Sequence, residues 1–194
     1  KKKIIFSAIA ISFHLLVAKL TPILWQYGLK EYQKDRLVLF LDPNRDPLGG
    51  GYHLLQSKIA IGSGGIFGTG LFQGKLTNLQ FIPEQHTDFI FSALGEELGF
   101  LGCTIVLFLF FYLIKKLINI ATSARSDFES LIVIGISATL LFQIIINLFM
   151  TIGLGPVTGI PLPFMSYGRT SLVINFISIG LVLSILKRSR SLRR

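Results

Sequence analysis

Apolar positions in this chain run in long unbroken stretches, and the polar positions collect between them. From 4 to 29 only His14 and Lys19 carry a titratable basic group. Leu98 to Ile114 are 17 uncharged residues, and Phe89–Gly95 extend that stretch towards its N-terminal side. Ser130 to Gly168 are 39 residues without a formal charge, and Thr170 to Leu186 are 17 more. A membrane-crossing helix needs about 20 apolar residues. The 39-residue run is too long for one crossing and holds Pro156, Pro161 and Pro163, so it reads as one helix followed by a neutral loop. The pattern predicts an all-α integral membrane fold in a single membrane domain, with crossings at about 4–28, 88–115, 131–152 and 170–187 and extracytoplasmic loops at about 29–87 and 153–169.

Composition agrees. Charged residues are 15% of the chain, hydrophobic residues 51%, and mean hydropathy is +0.65. Soluble domains carry about 25% charged residues, and disorder needs low hydrophobicity. The net charge of +9 is not laid out as one basic face, which argues against a soluble nucleic-acid binder. A single cysteine, Cys103, excludes a disulfide framework and a Cys-rich zinc site. The first apolar stretch is too long for a signal peptide.

Basic residues orient the crossings. Lys1–Lys3, then Lys115, Lys116 and Arg125, then Lys187, Arg188, Arg190, Arg193 and Arg194 all fall on one side of a four-crossing chain, which predicts a cytoplasmic C-terminus. A start at Lys1 rather than Met, and four helices to enclose a cavity, lead us to expect a longer parent protein.

The segment 29–87 differs from the rest. Leu29–Leu41 and Tyr52–Ile61 mix charged and apolar positions as interfacial helices do. The glycine-dense Gly62–Gly70 fails both phosphate-loop tests. A P-loop before Gly74-Lys75 needs Gly at 69 and Ser or Thr at 76, where Thr69 and Leu76 stand; the dinucleotide pattern needs Gly at Gln73. It reads as flexible turns beside the bilayer, within a long loop whose aliphatic and aromatic residues lead us to expect order against the membrane, and a backbone-amide cradle for a pyrophosphate stays open. There is no HExxH and no Gly-x-Ser-x-Gly, so no metal site is assigned.

Pro83-Glu84-Gln85-His86-Thr87-Asp88 places three titratable groups where the chain re-enters the membrane. Thr87 suits an N-cap and Asp88 a first-turn acid, and from the residues alone this reading is preferred to acid–base chemistry at Asp88. Glu96 and Glu97 fall inside the second crossing, where carboxylates are costly and point to pairing or function. Arg169 stands at the outer edge of the last crossing, placed to snorkel or to hold a phosphate.

Several strings resemble one family. Leu41-Asp42-Pro43, Asp46-Pro47-Leu48-Gly49, Gly51-Tyr52-His53-Leu54-Leu55-Gln56-Ser57, Ala60–Gly65, Pro83–Phe91, Gly95-Glu96-Glu97-Leu98-Gly99 and Gly159–Phe164 with Ser166-Tyr167-Gly168 run in the order found in the SEDS (shape, elongation, division and sporulation) proteins. Tyr52-His53 resembles the elongation (RodA-type) members; the division (FtsW-type) members have Gln after the Tyr. The resemblance implies the C-terminal part of a roughly ten-span peptidoglycan glycosyltransferase in a bacterial inner membrane. It implies lipid II as substrate, undecaprenyl pyrophosphate as leaving group and a class B penicillin-binding protein as partner. It matches the family's essential acid to Asp88, with Glu84, His86, Glu97 and Arg169 as weaker substrate-binding candidates. It also implies that a divalent cation (Mg or Mn) or cationic side chains stabilise the pyrophosphate. One departure is plain: Arg169-Thr170 replaces the family's usual Gly-Ser after Ser166-Tyr167-Gly168. The competing expectations are a flippase for the same lipid, or a scaffold that only activates the penicillin-binding protein.

Overall fold

A computed structural model describes residues 19, 21–22, 24–46, 49–79 and 86–191, and every regular element among them is helical. Most of the expected first crossing, the 80–85 segment with Glu84, and Arg193 and Arg194 lie outside the described residues. After a π-helical turn, Leu24–Gly28, come α1 (Glu31–Leu41), a 3-10 turn (Pro43–Arg45), α2 (Gly50–Ser63), α3 (Lys75–Asn78), α4 (Ile90–Thr122), α5 (Asp127–Ile152) and α6 (Arg169–Ser191).

Three of these, α4, α5 and α6, are long and apolar enough to cross a membrane. Only 28%, 28% and 17% of their most apolar windows is buried inside the protein. Phe100, Phe108, Phe111, Phe142 and Phe176 all point outwards. Helices apolar on their outer faces as well as their inner ones need lipid around them. The inner faces share one core, with Val133, Leu140, Leu162 and Val182 almost wholly buried.

Helix ends follow local chemistry. Ser126 caps α5 by accepting from Glu129 N–H (3.2 Å), and the Glu129 carboxylate accepts from Arg125 N–H (3.3 Å). This is close to a reciprocal capping arrangement. Arg188 approaches Glu129 at 3.9 Å and the Ser189 hydroxyl donates to Ser123 O, so the end of α6 meets the α4–α5 turn. The basic residues of both segments therefore share one end of the bundle. At the other end the Asp46 carboxylate accepts from Gly49 N–H (3.0 Å) and Gly50 N–H (3.2 Å), capping α2.

α2 packs against both α4 and α5. Its contact is polar at the centre. The hydroxyls of Ser57 and Ser92 bond each other, and Ser57 also donates to Thr151 O (2.7 Å). All three residues are fully buried. α1 has no buried residue, yet Arg36 donates to Thr158 O (2.6 Å), tying this helix to the 153–168 loop.

Candidate functional site

The glycine-dense segment is built into a break in α4. Gly99 adopts φ 65°, ψ −164°, which interrupts the helix. In an unbroken helix Phe100 and Leu101 N–H would bond the carbonyls of Glu96 and Glu97. They donate instead to Gly65 O (2.8 Å) and Ile66 O (3.1 Å), while the released carbonyls of Glu96 and Glu97 accept from Thr69 and Gly70 N–H (both 3.0 Å). A Cβ on Gly64, Gly68 or Gly99 would collide with the facing backbone. The segment expected to be flexible turns is therefore a strap hydrogen-bonded across the kink. Its glycines serve close backbone approach, which phosphate-loop patterns do not capture.

Below the strap, Glu96 is 1% exposed. Its carboxylate accepts from Leu76 N–H (2.8 Å), Thr77 N–H (2.9 Å) and the Thr77 hydroxyl (2.6 Å). Its role is to hold α3 against α4, and no basic side chain among the described residues bonds it. Glu97 is half-buried and turns to a cleft of about 440 Å³ between α3, the strap and α4. The cleft walls are apolar at Leu71, Phe72, Leu94 and Met165, and polar at His86, Thr77 and Glu97.

Asp88 lies in the turn that precedes α4, whose N-cap is Phe89. It is thus outside the first helical turn, and Thr87 is not the cap. The Asp88 carbonyl accepts from Asn147 Nδ2 (2.9 Å), and the same amide donates to Ile160 O (2.8 Å). Tyr167 N–H donates to His86 O (2.7 Å). The 153–168 loop is therefore fastened to the Asp88 turn at two points. Within it, Ser166 N–H donates to Leu162 O (3.0 Å) and Ser166 Oγ accepts from Leu162 N–H (2.7 Å), while Leu162 anchors in the core. Gly159 has φ +75°, and the Asp88 carboxylate lies 3.3 Å from where a Cβ would stand.

The structure thus brings His86 and Glu97 to one cleft, with half-buried Asp88 between the cleft residues His86 and Ile90 in sequence and its carboxylate beside Gly159. Arg169 is exposed at the first position of α6, where the helix dipole disfavours a cation. It does not line this cleft. Among the described residues no three His, Cys, Asp or Glu side chains gather closely enough to hold a metal ion. Asn147 was missed in the sequence, where it is one amide in an uncharged run. The available signal was its depth in a crossing helix, where an amide needs a hydrogen-bonding partner.

The profile of the cell cycle protein family of FtsW, RodA and SpoVE matches residues 3–191. The chain is 45% identical over 171 residues to the peptidoglycan glycosyltransferase MrdB of Escherichia coli K12, covering 88% of this chain and 46% of the relative. It is 45% identical over 157 residues to the peptidoglycan glycosyltransferase RodA of Treponema pallidum, covering 81% and 36%. Among solved structures it resembles a chain from a study of polymerization and crosslinking by a peptidoglycan synthase complex. There the TM-score is 0.69 with 31% identity, covering 94% of this chain and 49% of that one. The chain spans about half the length, or less, of the curated relatives it matches.

Proposed function

We propose, on the premise that the chain belongs to the FtsW, RodA and SpoVE family of cell cycle proteins, that it is the C-terminal part of a peptidoglycan glycosyltransferase. The reaction polymerises lipid II into glycan strands for cell-wall elongation. Relatives at 45% identity bear the glycosyltransferase name. The observation that carries the reading is the fixed turn at Asp88, tethered through Asn147 and His86 beside a cleft with both apolar and polar walls. Such walls suit a substrate that joins a prenyl chain to a sugar.

In this reading the 4-hydroxyl of one lipid-linked disaccharide attacks the anomeric carbon of another. The new C–O bond forms as the bond to the pyrophosphate oxygen breaks, with inversion. Asp88, as general base, takes the hydroxyl proton, and undecaprenyl pyrophosphate departs as the anion. His86 and Glu97 bind polar groups of the substrate in the cleft. Glu84 is assigned the same role. Cationic side chains offset the charge on the leaving group, with Arg169 as this chain's candidate.

The partner is a class B penicillin-binding protein, a choice supported by the synthase complex among the structural neighbours. The protein sits in the bacterial inner membrane with its C-terminus in the cytoplasm, since Lys187 and Arg188 share an end with Arg125. The test is lipid II supplied to the complete protein and partner in proteoliposomes, with the partner's transpeptidase blocked. Glycan strands support the polymerase. Lipid II moved across the bilayer without polymer supports the flippase instead.

A further inference from the structure

We infer that Asn147 is a positioning residue for Asp88. The inference rests on the polymerase reading above and extends it to a residue that does not touch the cleft. Asn147 is fully buried in α5. Its amide donates to two carbonyls far apart in sequence, Asp88 O (2.9 Å) and Ile160 O (2.8 Å). The reverse amide orientation would set Oδ1 against two carbonyl oxygens, so the hydrogen-bond pattern fixes it. Oδ1 is itself buried without a hydrogen-bond partner. Such orphans are rare because they cost free energy. Here both donors are committed to joining two segments while the acceptor goes unused.

The two segments are the ones the chemistry needs. Bonding the Asp88 carbonyl holds the peptide plane that follows Asp88 and so restrains the backbone from which the carboxylate side chain leaves. Bonding the Ile160 carbonyl fixes the residue next to Gly159, whose backbone lies against the Asp88 carboxylate. One amide thus sets both the backbone bearing the carboxylate and the surface beside it. Misplacement of a reacting group by about 1 Å can cost about 100-fold in rate.

The test uses the complete protein with its partner, comparing Asn147 with Asn147→Leu, which keeps the branched shape and the number of side-chain heavy atoms but is bulkier and has no donors, and with Asn147→Ala in case the leucine does not fit. Ser137→Ala is the control; Ser137 is also buried in α5, but its hydroxyl bonds its own helix at Val133 O. Two quantities are read, lipid II polymerisation kinetics and amide hydrogen exchange. The expected result is a kcat lower by about 10–100-fold with KM within about twofold. Exchange should rise at 86–89 and 159–162 while the remainder of α5 is unchanged, and Ser137→Ala should alter neither readout. Unchanged exchange at those segments overturns the inference, as does raised exchange with native kcat. Exchange rising throughout the protein, with thermal stability lost, also overturns it and makes Asn147 merely structural. Native polymerisation by Asp88→Asn is a separate result: it removes the general-base reading, while the exchange arm still reports on the tether.

Discussion

The Thr77 hydroxyl and the buried Glu96 carboxylate lie 2.6 Å apart, and the Thr77 backbone N–H bonds the same oxygen. A carboxylate at membrane depth is costly unless its lone pairs are filled. Glu96 fills them with backbone and hydroxyl donors from a four-residue helix. Glu96→Gln keeps the shape but replaces one acceptor oxygen with a donor group facing another donor. The expected loss is about 1–3 kcal/mol. It should show as faster proteolysis within 70–79, with α4–α6 still protected.

Gly99 carries the kink that receives the strap. Its φ and ψ lie in a region open essentially to glycine, and a non-glycine residue there costs about 1–3 kcal/mol. Gly99→Ala adds a Cβ overlapping Gly68 N and Ile66 C=O. We expect a lower thermal midpoint in detergent and loss of exchange protection at Thr69 and Gly70. Gly135→Ala, a helical position with open space around the new Cβ, should leave both unchanged.

Much of the bundle was legible in the sequence because apolar runs report helices directly. α5 starts at Asp127, ahead of the expected 131, because Ser126 caps the helix before the apolar run begins. Expectation and structure part where the determinant is a non-local pairing. α4 begins at Ile90 and reaches Thr122, past the expected end near 115, because Lys115 and Lys116 end the apolar run but not the helix. The kink was hidden, since glycine is ordinary in a membrane helix and Gly99 stands between Gly95 and Gly102 in the sequence. Its partner, 65–70, is meaningful only once folded against it. His86 and Glu97 line one cleft although they stand 11 positions apart, because 86–89 is a turn and not the continuation of α4.

In the proposed reading, Glu97 separates substrate binding from chemistry. It lines the cleft, while the Asp88 carboxylate lies by Gly159. Glu97→Ala should raise KM for lipid II by about tenfold, the effect of losing one charged hydrogen bond, and leave kcat within about twofold. Steady-state kinetics with defined lipid II check this.

The most direct measurement of the central claim compares Asp88 with Asp88→Asn in the complete protein, bound to its partner with the transpeptidase blocked. Asparagine keeps the size and the turn but cannot take the proton. The account predicts that strand formation falls by at least about 10²–10⁴-fold, the usual contribution of a general base, while expression and partner binding persist. Strands formed at the native rate by Asp88→Asn would contradict it.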